Sequence, residues 1–436
     1  MTLINKSLKI AMLHYSAPPV VGGVEMVMQH HARLLAQTGH SVTIFAGKGE
    51  SVEPGILLEK NLLFSTSSPE ILSIKKKLDQ GLIPASFLKV KDELLNFLRK
   101  QVVSYDVMIA HNICSLHKNL PLSAALHEFI QEKESPPLIA WHHDLAWRNT
   151  QYRKELHDQW PWDLLKKIWH PDWQVHVAVS EMRQIELSRL FNLPTESISV
   201  IPSGLDWKHF LAIGDQTEEI ILRHDLLNAH PLFLLPVRIT RRKNIELAIQ
   251  IMDSLAHAFP NAGLVVTGPP GPHNPGNASY LDELIKMTNK LGLGSELNDT
   301  KKKPRVIFLA ETDNRYLPDE VIADLFRFCD ALLIPSAQEG FGIPILEAGL
   351  AGLPIFCSDI QPFRETAGEL AVFFDLNEKP RDIAAKIIDY VERDKRIDLK
   401  ARIRNKYTWN QILRKQIEPI LLIAVKIANK KKKENE

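Results

Sequence analysis

The sequence predicts an α/β protein built from two domains, each with a doubly wound parallel sheet. Short apolar runs alternate with loops and amphipathic segments along most of the chain, so strand, loop and helix follow one another repeatedly. The 436 residues are too many for one usual hydrophobic core, which indicates two domains. Because strand–helix–strand crossovers are almost always right-handed and join parallel strands, the repeated order predicts parallel sheets.

Composition argues against several classes of function. Hydrophobic residues make up 45% of the chain and charged residues 24%, as in soluble globular proteins. The formal net charge of +1 gives no support to nucleic-acid binding. Cys114, Cys329 and Cys357 are widely separated and odd in number, so we expect neither a disulfide framework nor a zinc site.

The start of the chain lacks the features of a targeting segment. Met1 to Ile10 contains no long apolar core before a small-residue cleavage site, and the apolar segments that follow are too short to span a bilayer. We therefore expect no signal peptide, no transmembrane helix and a cytoplasmic location.

The first strand–loop–helix unit runs from Leu8 to Gly39, and a second strand follows at Ser41–Ala46. Its loop carries Gly22 and Gly23, which lack the Gly-x-Gly-x-x-Gly spacing of a dinucleotide-binding fold. Two interpretations remain open. The glycines let the backbone approach a phosphate or sugar, or they form a turn that needs positive φ.

A helical pattern from Ile71 to Val103 contains the basic run Lys75-Lys76-Lys77. The run could contact an anionic lipid or acceptor, but the neutral overall charge favours a solvated helix face. The remaining elements of this half are strands at Tyr105–Ala110, Leu138–Trp141, Val175–Val179 and Ile198–Ile201, and helices at Pro121–Phe129 and from Glu181.

Polar side chains follow the strand at Leu138–Trp141, in the order His142-His143-Asp144. Ligands collect at the carboxyl ends of strands in open parallel sheets. No second set of metal ligands has suitable spacing, so hydrogen bonding is the preferred role and a cap is the alternative. Tryptophans nearby could stack on sugars, but core packing is preferred for most of Trp141, Trp147, Trp160, Trp162, Trp169 and Trp173.

The break at Pro202-Ser203-Gly204 predicts a domain boundary. We expect an N-terminal domain at residues 1–205 and a C-terminal domain at residues 206–405. The last segment, residues 406–436, is helical in pattern and is expected to join the first domain, with a kink at Pro419.

The second half begins again with a strand at Leu232–Val237 and a helix capped by Asn244. Arg238 and Lys243 flank the intervening loop, where fixed cations could neutralise a diphosphate. Further strands are predicted at Leu264–Thr267, Val306–Leu309, Ala331–Ile334 and Leu353–Phe356, with a stiff loop at Gly268–Gly276 and a helix at Asp319–Phe328.

The stretch from Pro335 to Gly352 places Glu339 in a glycine-bearing loop and Glu347 in the helix that follows. Unpaired amides at the start of such a helix form an anion site. Two carboxylates beside an anion-binding backbone suit a ligand with hydroxyls and a phosphate, such as a nucleotide sugar. An ordinary helix start with a favourable Glu is the alternative, and it leaves the loop unexplained.

The segment from Glu339 to Glu347 resembles the E-x7-E signature of the retaining, nucleotide-sugar-dependent glycosyltransferases of family 4. That family has the GT-B fold, in which two Rossmann-like domains face each other across a cleft. Other segments resemble the family's landmarks in the same order: Gly22–Glu25, Gly39–Thr43, His143–Leu145, Val179–Glu181, Ile201–Asp206, Arg238 with Lys243, and Pro335-Ser336.

The resemblance implies a role for each matching residue. Arg238 and Lys243 hold the donor diphosphate, and Glu347 binds the ribose hydroxyls. Glu339 and the amides of the following loop hold the transferred sugar and its phosphate; those loop residues are Gly340, Phe341, Gly342 and Ile343. Gly22 and Gly23 approach the diphosphate from the other domain, and His143 contacts the sugar hydroxyls. Neither a metal nor a cofactor is implied beyond the GDP- or UDP-linked donor.

The implied reaction moves a hexose of mannose or glucose type to an acceptor hydroxyl with retention. The acceptor is a small molecule, a glycan or a lipid-linked sugar, and peripheral membrane contact stays open. A sugar-nucleotide epimerase or hydrolase and a non-catalytic sugar-nucleotide-binding subunit are the alternatives. Departures from the family pattern put the substrate in question: the long Gly268–Gly276 loop, Asn244 where glycine is common, and Ser358–Phe363 without glycines.

Overall fold

The computed structural model describes residues 6–20, 22–50, 53–272, 274, 276–294, 306–312 and 317–434. The chain divides into two compact units. The N-terminal unit contains the residues up to Gly204 together with those from Trp409 onward, and the C-terminal unit contains Leu205–Thr408.

The N-terminal unit is built on a seven-stranded parallel sheet in the order β3-β2-β1-β4-β5-β6-β7. Its strands are β1 Lys9–Leu13, β2 Ser41–Ala46, β3 Ile56–Lys60, β4 Val107–His111, β5 Leu138–His142, β6 Gln174–Ala178 and β7 Ile198–Val200. Its first helices are α1 Gly23–Gln37, α2 Pro69–Leu78, α3 Ala85–Gln101, α4 Leu120–Phe129 and α5 Glu181–Phe191.

Both faces of this sheet are covered, as a doubly wound sheet requires. Along β4, Met108 and Ala110 pack in one core cluster with residues of α2, α3 and α4. Val107 and Ile109 point to the opposite cluster, which contains residues of α1 and of the C-terminal segment. Because successive side chains of a strand alternate between faces and both faces are covered, β4 is apolar from Val107 to Ala110.

The C-terminal unit repeats the architecture with a six-stranded parallel sheet in the order β10-β9-β8-β11-β12-β13. Its strands are β8 Leu232–Leu235, β9 Gly263–Val266, β10 Val306–Phe308, β11 Ala331–Ile334, β12 Ile355–Ser358 and β13 Val372–Phe374. Its helices are α6 Trp207–Phe210, α7 Asp215–Arg223, α8 Ile245–Leu255, α9 Gly276–Lys290, α10 Leu309–Thr312, α11 Asp319–Phe328, α12 Ile343–Leu350, α13 Gln361–Ala367, α14 Pro380–Arg393 and α15 Lys395–Lys406.

The predicted fold class, two doubly wound parallel sheets, is confirmed. Some local predictions were incomplete, and the edge strand β13 is missing from them. The edge strand β3 was not predicted, because most of its side chains are at least partly exposed and show no buried apolar run. The helical pattern from Ile71 to Val103 forms two helices rather than one, since Gly81 adopts a positive φ of 78° and Pro84 precedes α3.

The C-terminal segment consists of α16 Trp409–Ile412, a π-helical turn at Leu413–Ile417 and α17 Glu418–Glu434. The Trp409 ring stacks on His30 with the centroids 4.9 Å apart, and a side chain at Gly204 would collide with it. The irregularity expected at Pro419 takes the form of the π turn just before it, which relieves the clash between the proline ring and the preceding turn.

The two ends of the C-terminal unit lie side by side. The N–H of Leu205 donates to the carbonyl of Tyr407 at 2.6 Å, and Leu205 forms an isolated parallel bridge with Thr408. In the described part of the chain, no helix is long and apolar enough to cross a bilayer.

A buried ion pair fixes α15 to the sheet of the C-terminal unit. Arg404 donates to Asp330 through Nη1 at 2.7 Å and Nη2 at 2.6 Å, and the two side chains are only 4% and 0% exposed. Asp330 also accepts from the N–H of Leu232 at 2.9 Å, at the start of β8. Such a bidentate pair is expensive to break, because one charge is then left buried without a partner.

We therefore predict that Arg404→Met lowers the free energy of unfolding of the C-terminal unit by about 3–5 kcal/mol. The matched control is Arg396→Met on the same helix, where the ion pair with Asp394 has a mostly exposed guanidinium. That control should cost less than about 1 kcal/mol. Urea denaturation measures both, and equal losses in the two variants would contradict a structural role for the Arg404 pair.

Candidate functional site

The candidate site residues of the C-terminal unit follow β8 and β11, which are neighbours in the sheet. Both strands are parallel, so the loops after them leave the sheet at the same edge. Two hydrogen bonds join these loops: the N–H of Ala337 donates to the carbonyl of Arg242 at 2.8 Å, and Arg242 Nη1 donates to the carbonyl of Gln338 at 3.2 Å. The loops therefore form one surface.

Lys243 and Glu339 form a buried ion pair at the centre of this surface. Lys243 Nζ donates to Glu339 Oε1, and the side chains are 11% and 8% exposed. Arg242 Nη1 lies 3.5 Å from the other carboxylate oxygen. Burial lowers the pKa of Lys243, although the hydrogen bond that it donates to Glu339 acts in the opposite direction. The two residues, which the sequence analysis assigned to different parts of the ligand, are thus brought together.

Arg238 lies on the same edge, after β8, and is exposed. Its side chain has no hydrogen bond or ion pair with any residue that the structure describes. A cavity of about 570 Å³ beside it is lined by Arg238, Thr240, Arg241, Arg242, Gly271, Pro272, Asn274, Gly276, Asn277 and Ser279. The cavity is therefore basic on one side and polar on the other.

The loop after β9 packs closely against the backbone that carries Arg238. A side chain at Gly268 would collide with the carbonyl of Val237, so glycine is required there. The N–H of Ile239 donates to the carbonyl of Pro269 at 3.0 Å, which joins the two loops. Two residues of the long loop predicted at Gly268–Gly276, numbers 273 and 275, lie outside the described residues.

Asn244 precedes α8 as predicted, but its side chain does not cap the helix. Its backbone is left-handed, with φ 50° and ψ 46°. Asparagine is among the few residues other than glycine that tolerate this conformation. The substitution of asparagine for the glycine common in the family is thereby explained by the backbone and does not by itself indicate a different substrate.

The loop from Gly340 to Gly342 presents free backbone donors beside Glu339. Within the described residues, the N–H groups of Gly340, Phe341 and Gly342 have no hydrogen-bond acceptor. Phe341 and Ile343 are 55% and 60% exposed, which is unusual for large apolar side chains and leaves the loop open. Gly342 has φ 99°, and a Cβ there would lie 2.9 Å from Phe363 Cδ1, so both backbone and packing require glycine.

Glu347 is exposed and lies one turn into α12. Partial burial and the negative charge of Asp319 raise its pKa. It lines a cavity of about 550 Å³ with Asp319, Ile322, Ala323, Phe326, Arg327, Leu350 and Ala351. That cavity shares no lining residue with the one beside Arg238.

We predict that Gly342→Ala lowers stability by about 1–3 kcal/mol, because alanine is strained at this φ and meets Phe363. It should also weaken donor binding by displacing the amides beside Glu339. Gly349→Ala, in the helix that follows Gly342, is the control: apart from the backbone of that helix, no described atom lies within 4 Å of its Cβ position, so stability should not fall. Thermal unfolding with and without donor measures both effects, and a neutral Gly342→Ala would refute the strain argument.

In the N-terminal unit, Gly22 and Gly23 begin α1 without positive φ. The interpretation as a positive-φ turn is therefore wrong: Gly22 is extended, at φ −161° and ψ 154°. A side chain at Gly22 would instead collide with the carboxylate of Glu25. Gly23 is open, with no described atom within 4 Å of its Cβ position.

Glu25 is held in place by two residues that follow β1. Ser16 Oγ donates to Glu25 Oε1 at 2.5 Å, and His14 Nε2 lies 3.7 Å from the same oxygen. Burial alone would raise the pKa of Glu25, but the hydrogen bonds from His14 and Ser16 outweigh it and lower the pKa to about 2. Glu25 is thus ionised and packed against the glycine pair.

The three residues His142-His143-Asp144 point in different directions. His142 Nε2 pairs with His176 Nδ1 at 3.2 Å, and Asp144 Oδ1 lies 3.2 Å from Arg183. His143 is partly exposed, and its Nδ1 has no partner among the described residues, which agrees with a hydrogen-bonding role. Within the described residues, no group of three or more His, Cys, Asp or Glu side chains could hold a metal ion.

His143 is positioned by the neighbouring strand end. Its N–H and that of Asp144 both donate to Asn112 Oδ1, at 2.8 and 3.1 Å, and Asn112 adopts a positive φ of 60° to reach them. Its ring Nε2 lies 3.0 Å from His111 Nδ1. Burial and the nearby charge of His14 lower the pKa of His143 to about 3, so the ring is neutral.

Two of the weaker sequence interpretations can be examined. Four of the six clustered tryptophans are buried, whereas Trp147 is partly buried and Trp160 is exposed. In the basic run, Lys75 pairs with Asp79 and Glu155, while the next two lysines are exposed. Core packing and a solvated helix face are therefore the better interpretations.

The sequence analysis missed the residues that support the site in the N-terminal unit, which are His14, Ser16, Glu25 and Asn112. One signal was available: His14 and Asn112 each follow a strand directly, at the edge where ligands collect. The contact between Glu25 and Ser16 depends on the fold and has no pattern in the sequence.

Two family models match the chain in succession. The model described as Glycosyltransferase Family 4 matches residues 21–208, and that described as Glycosyl transferases group 1 matches residues 217–408. Together with the two parallel-sheet units, these matches show that the chain belongs to the glycosyltransferases of family 4, which have the GT-B fold.

Among particular relatives, mannosylglucosylglycerate synthase of Thermotoga maritima is 26% identical over 81% of this chain and 83% of its own. The enzyme of the same name from Petrotoga mobilis is 24% identical over 83% of this chain and 85% of its own. The lipopolysaccharide core biosynthesis mannosyltransferase LpsB of Rhizobium meliloti is 29% identical over 38% of this chain and 42% of its own. Among solved structures, the glycosyltransferase WaaG is similar at 15% identity over 94% of this chain and 99% of that chain, with a TM-score of 0.33.

Proposed function

We propose that this glycosyltransferase moves a hexose of mannose or glucose type, with retention, from a GDP- or UDP-linked sugar to an acceptor hydroxyl. The observation that carries the proposal is the surface formed by the loops after β8 and β11. It combines the buried Lys243–Glu339 pair with Arg238 and a row of N–H groups, none of which has a partner in the part of the chain that the structure describes.

The chemistry of donor cleavage explains why such a surface is useful. As the bond from the sugar to the nucleoside diphosphate breaks, the diphosphate gains negative charge. Arg238 and Lys243 supply fixed positive charge for it, so the reaction needs no metal ion. Pairing with Glu339 does not prevent this, because an ammonium group has three donors and the carboxylate uses one of them.

Glu339 and Glu347 are proposed as binding groups and not as an acid/base pair. Glu339 accepts hydrogen bonds from hydroxyls of the transferred sugar, and the N–H groups from Gly340 to Ile343 bind its phosphate. Glu347 accepts from the ribose hydroxyls. We assign no protein nucleophile: the departing phosphate takes the proton of the acceptor hydroxyl on the face from which it leaves. The roles of Gly22, Gly23 and His143 remain part of the same proposal.

The relatives favour one sugar and one kind of acceptor. Both relatives that match over most of their length are named for the synthesis of mannosylglucosylglycerate, and the shorter match is named a mannosyltransferase. Mannose is therefore the first sugar to test, and a small hydroxylated acceptor is preferred over a glycan or a lipid-linked acceptor. We also propose a cytoplasmic location, where the three buried free cysteines stay reduced.

The first experiment is a thermal-shift screen of GDP-, UDP- and ADP-linked sugars, since a ligand that binds only the folded state raises the melting temperature. The best donor is then incubated with glycerate, glucosylglycerate and other small acceptors, and nucleotide release is measured. Release that requires an acceptor supports the proposal. Product from the donor alone indicates an epimerase or hydrolase, and binding without any turnover indicates a non-catalytic subunit.

We predict that Lys243→Ala and Lys243→Met each lower kcat at least tenfold, because the diphosphate loses a fixed cation in the transition state. Lys386→Met, which removes a lysine paired with Glu378 on the surface of α14, is the control and should leave kcat unchanged. Circular dichroism checks that the Lys243 variants are folded, since they leave Glu339 buried without its partner. Turnover close to that of the unmodified protein would remove Lys243 from the site.

A further inference from the structure

The two ring nitrogens of His143 have different surroundings. Nε2 lies 3.0 Å from His111 Nδ1, whereas Nδ1 has no partner among the described residues and is not enclosed. A neutral imidazole carries one hydrogen, on one nitrogen or the other. Its position decides whether the free Nδ1 offers a ligand a hydrogen-bond donor or an acceptor.

His111 decides between these two tautomers, because one of the paired nitrogens must donate and the other must accept. His111 is fully buried, and burial together with the neighbouring histidines lowers its pKa well below the usual range, so its ring is neutral. Its second nitrogen, Nε2, is buried and has no hydrogen-bond partner among the described residues. Either tautomer leaves Nε2 unsatisfied, but a buried N–H without an acceptor is rarer than a buried acceptor without a donor, which favours an Nε2 that carries no hydrogen.

The surroundings of His111 strengthen this preference. The His31 and Trp141 rings lie 5.7 and 5.6 Å from its ring, centroid to centroid. Among the described residues, neither nitrogen of His31 has a hydrogen-bond partner, and neither does the indole nitrogen of Trp141. Each of these rings already carries one buried N–H without an acceptor, so an N–H at Nε2 of His111 would add a third.

The backbone around His111 is also fixed. His14 Nδ1 lies 3.0 Å from the carbonyl oxygen of His111, and since a carbonyl only accepts, His14 is the donor. The opposite nitrogen of His14 faces Glu25, which packs under Gly22. The backbone of His111 is thus linked through His14 to Glu25, while its ring contacts His143.

We propose that His111 is a positioning residue that donates its Nδ1 hydrogen to His143 Nε2, and so holds His143 in the tautomer that presents an Nδ1–H donor. The inference rests on the proposed function in one respect, that the ligand of His143 is a hydroxyl oxygen of the transferred sugar. In this tautomer Nδ1 has no lone pair in the ring plane. It cannot take a proton from the acceptor, in agreement with the departing phosphate as the base.

The tautomer can be measured on the full chain without any substrate. Nitrogen-15 spectra of histidine-labelled protein distinguish Nδ1–H from Nε2–H, and a His143→Gln variant identifies the signals of His143. The unmodified protein should show His143 with the hydrogen on Nδ1. His111→Leu removes the donor and should shift His143 toward Nε2–H, whereas His111→Asn keeps an N–H donor and should restore the original state.

Kinetics then test the consequence for catalysis. His111→Leu should lower kcat/KM by about threefold to tenfold, the effect of losing one neutral hydrogen bond, and His111→Asn should recover most of it. His176→Leu is the matched control, because it breaks another buried histidine pair, with His142, and should leave both the His143 tautomer and the kinetics unchanged.

Two different results would overturn the inference or its premise. If His143 carries its hydrogen on Nε2, or if His111→Leu leaves the tautomer unchanged, His111 does not position it. If the tautomer shifts while kcat/KM stays constant, the positioning by His111 stands and the proposed contact between His143 and the sugar is wrong.

Discussion

The direction of the strands is the constraint on which the site depends. All strands of each sheet are parallel, so every loop that follows a strand leaves at the same edge. In one unit this brings together His14, His111 and His143, which follow or end β1, β4 and β5, and in the other it brings Lys243 to Glu339. The parallel direction of the strands thus makes neighbours of residues that are far apart in the sequence.

Two buried ion pairs of the C-terminal unit differ in the groups that surround them, and therefore in the role that each can have. Arg404 and Asp330 pair with each other, and the other hydrogen bonds that they make go to backbone groups, so this pair fixes α15 to the sheet. Lys243 and Glu339 are almost as buried but lie in loops, beside exposed cations and free N–H groups. Hydrogen-bond donors of these loops have no partner among the described residues and are available to a ligand.

The sequence could predict most of the fold, because buried parallel strands such as β8 and β11 are short, fully apolar runs bounded by loops. The edge strand β3 lacks that pattern, and α2 and α3 read as one helix because their periodicity continues across Gly81. The candidate site residues that lie in a motif could be proposed from the sequence through the family resemblance. The series of contacts from Glu25 through His14 to His111 could not be predicted, because hydrogen bonds between separate strands and helices leave no fixed spacing in the sequence.

The adjacency of Leu205 and Thr408 determines where the chain can be divided into two units. Residues 205–408, about half of the chain, begin and end at adjacent positions. The C-terminal unit therefore has the topology of a domain inserted into the N-terminal unit. Joining residue 204 to residue 409 with a short linker would close the N-terminal unit without stretching its backbone. For the same reason, residues 205–408 could be exchanged as one unit between related proteins.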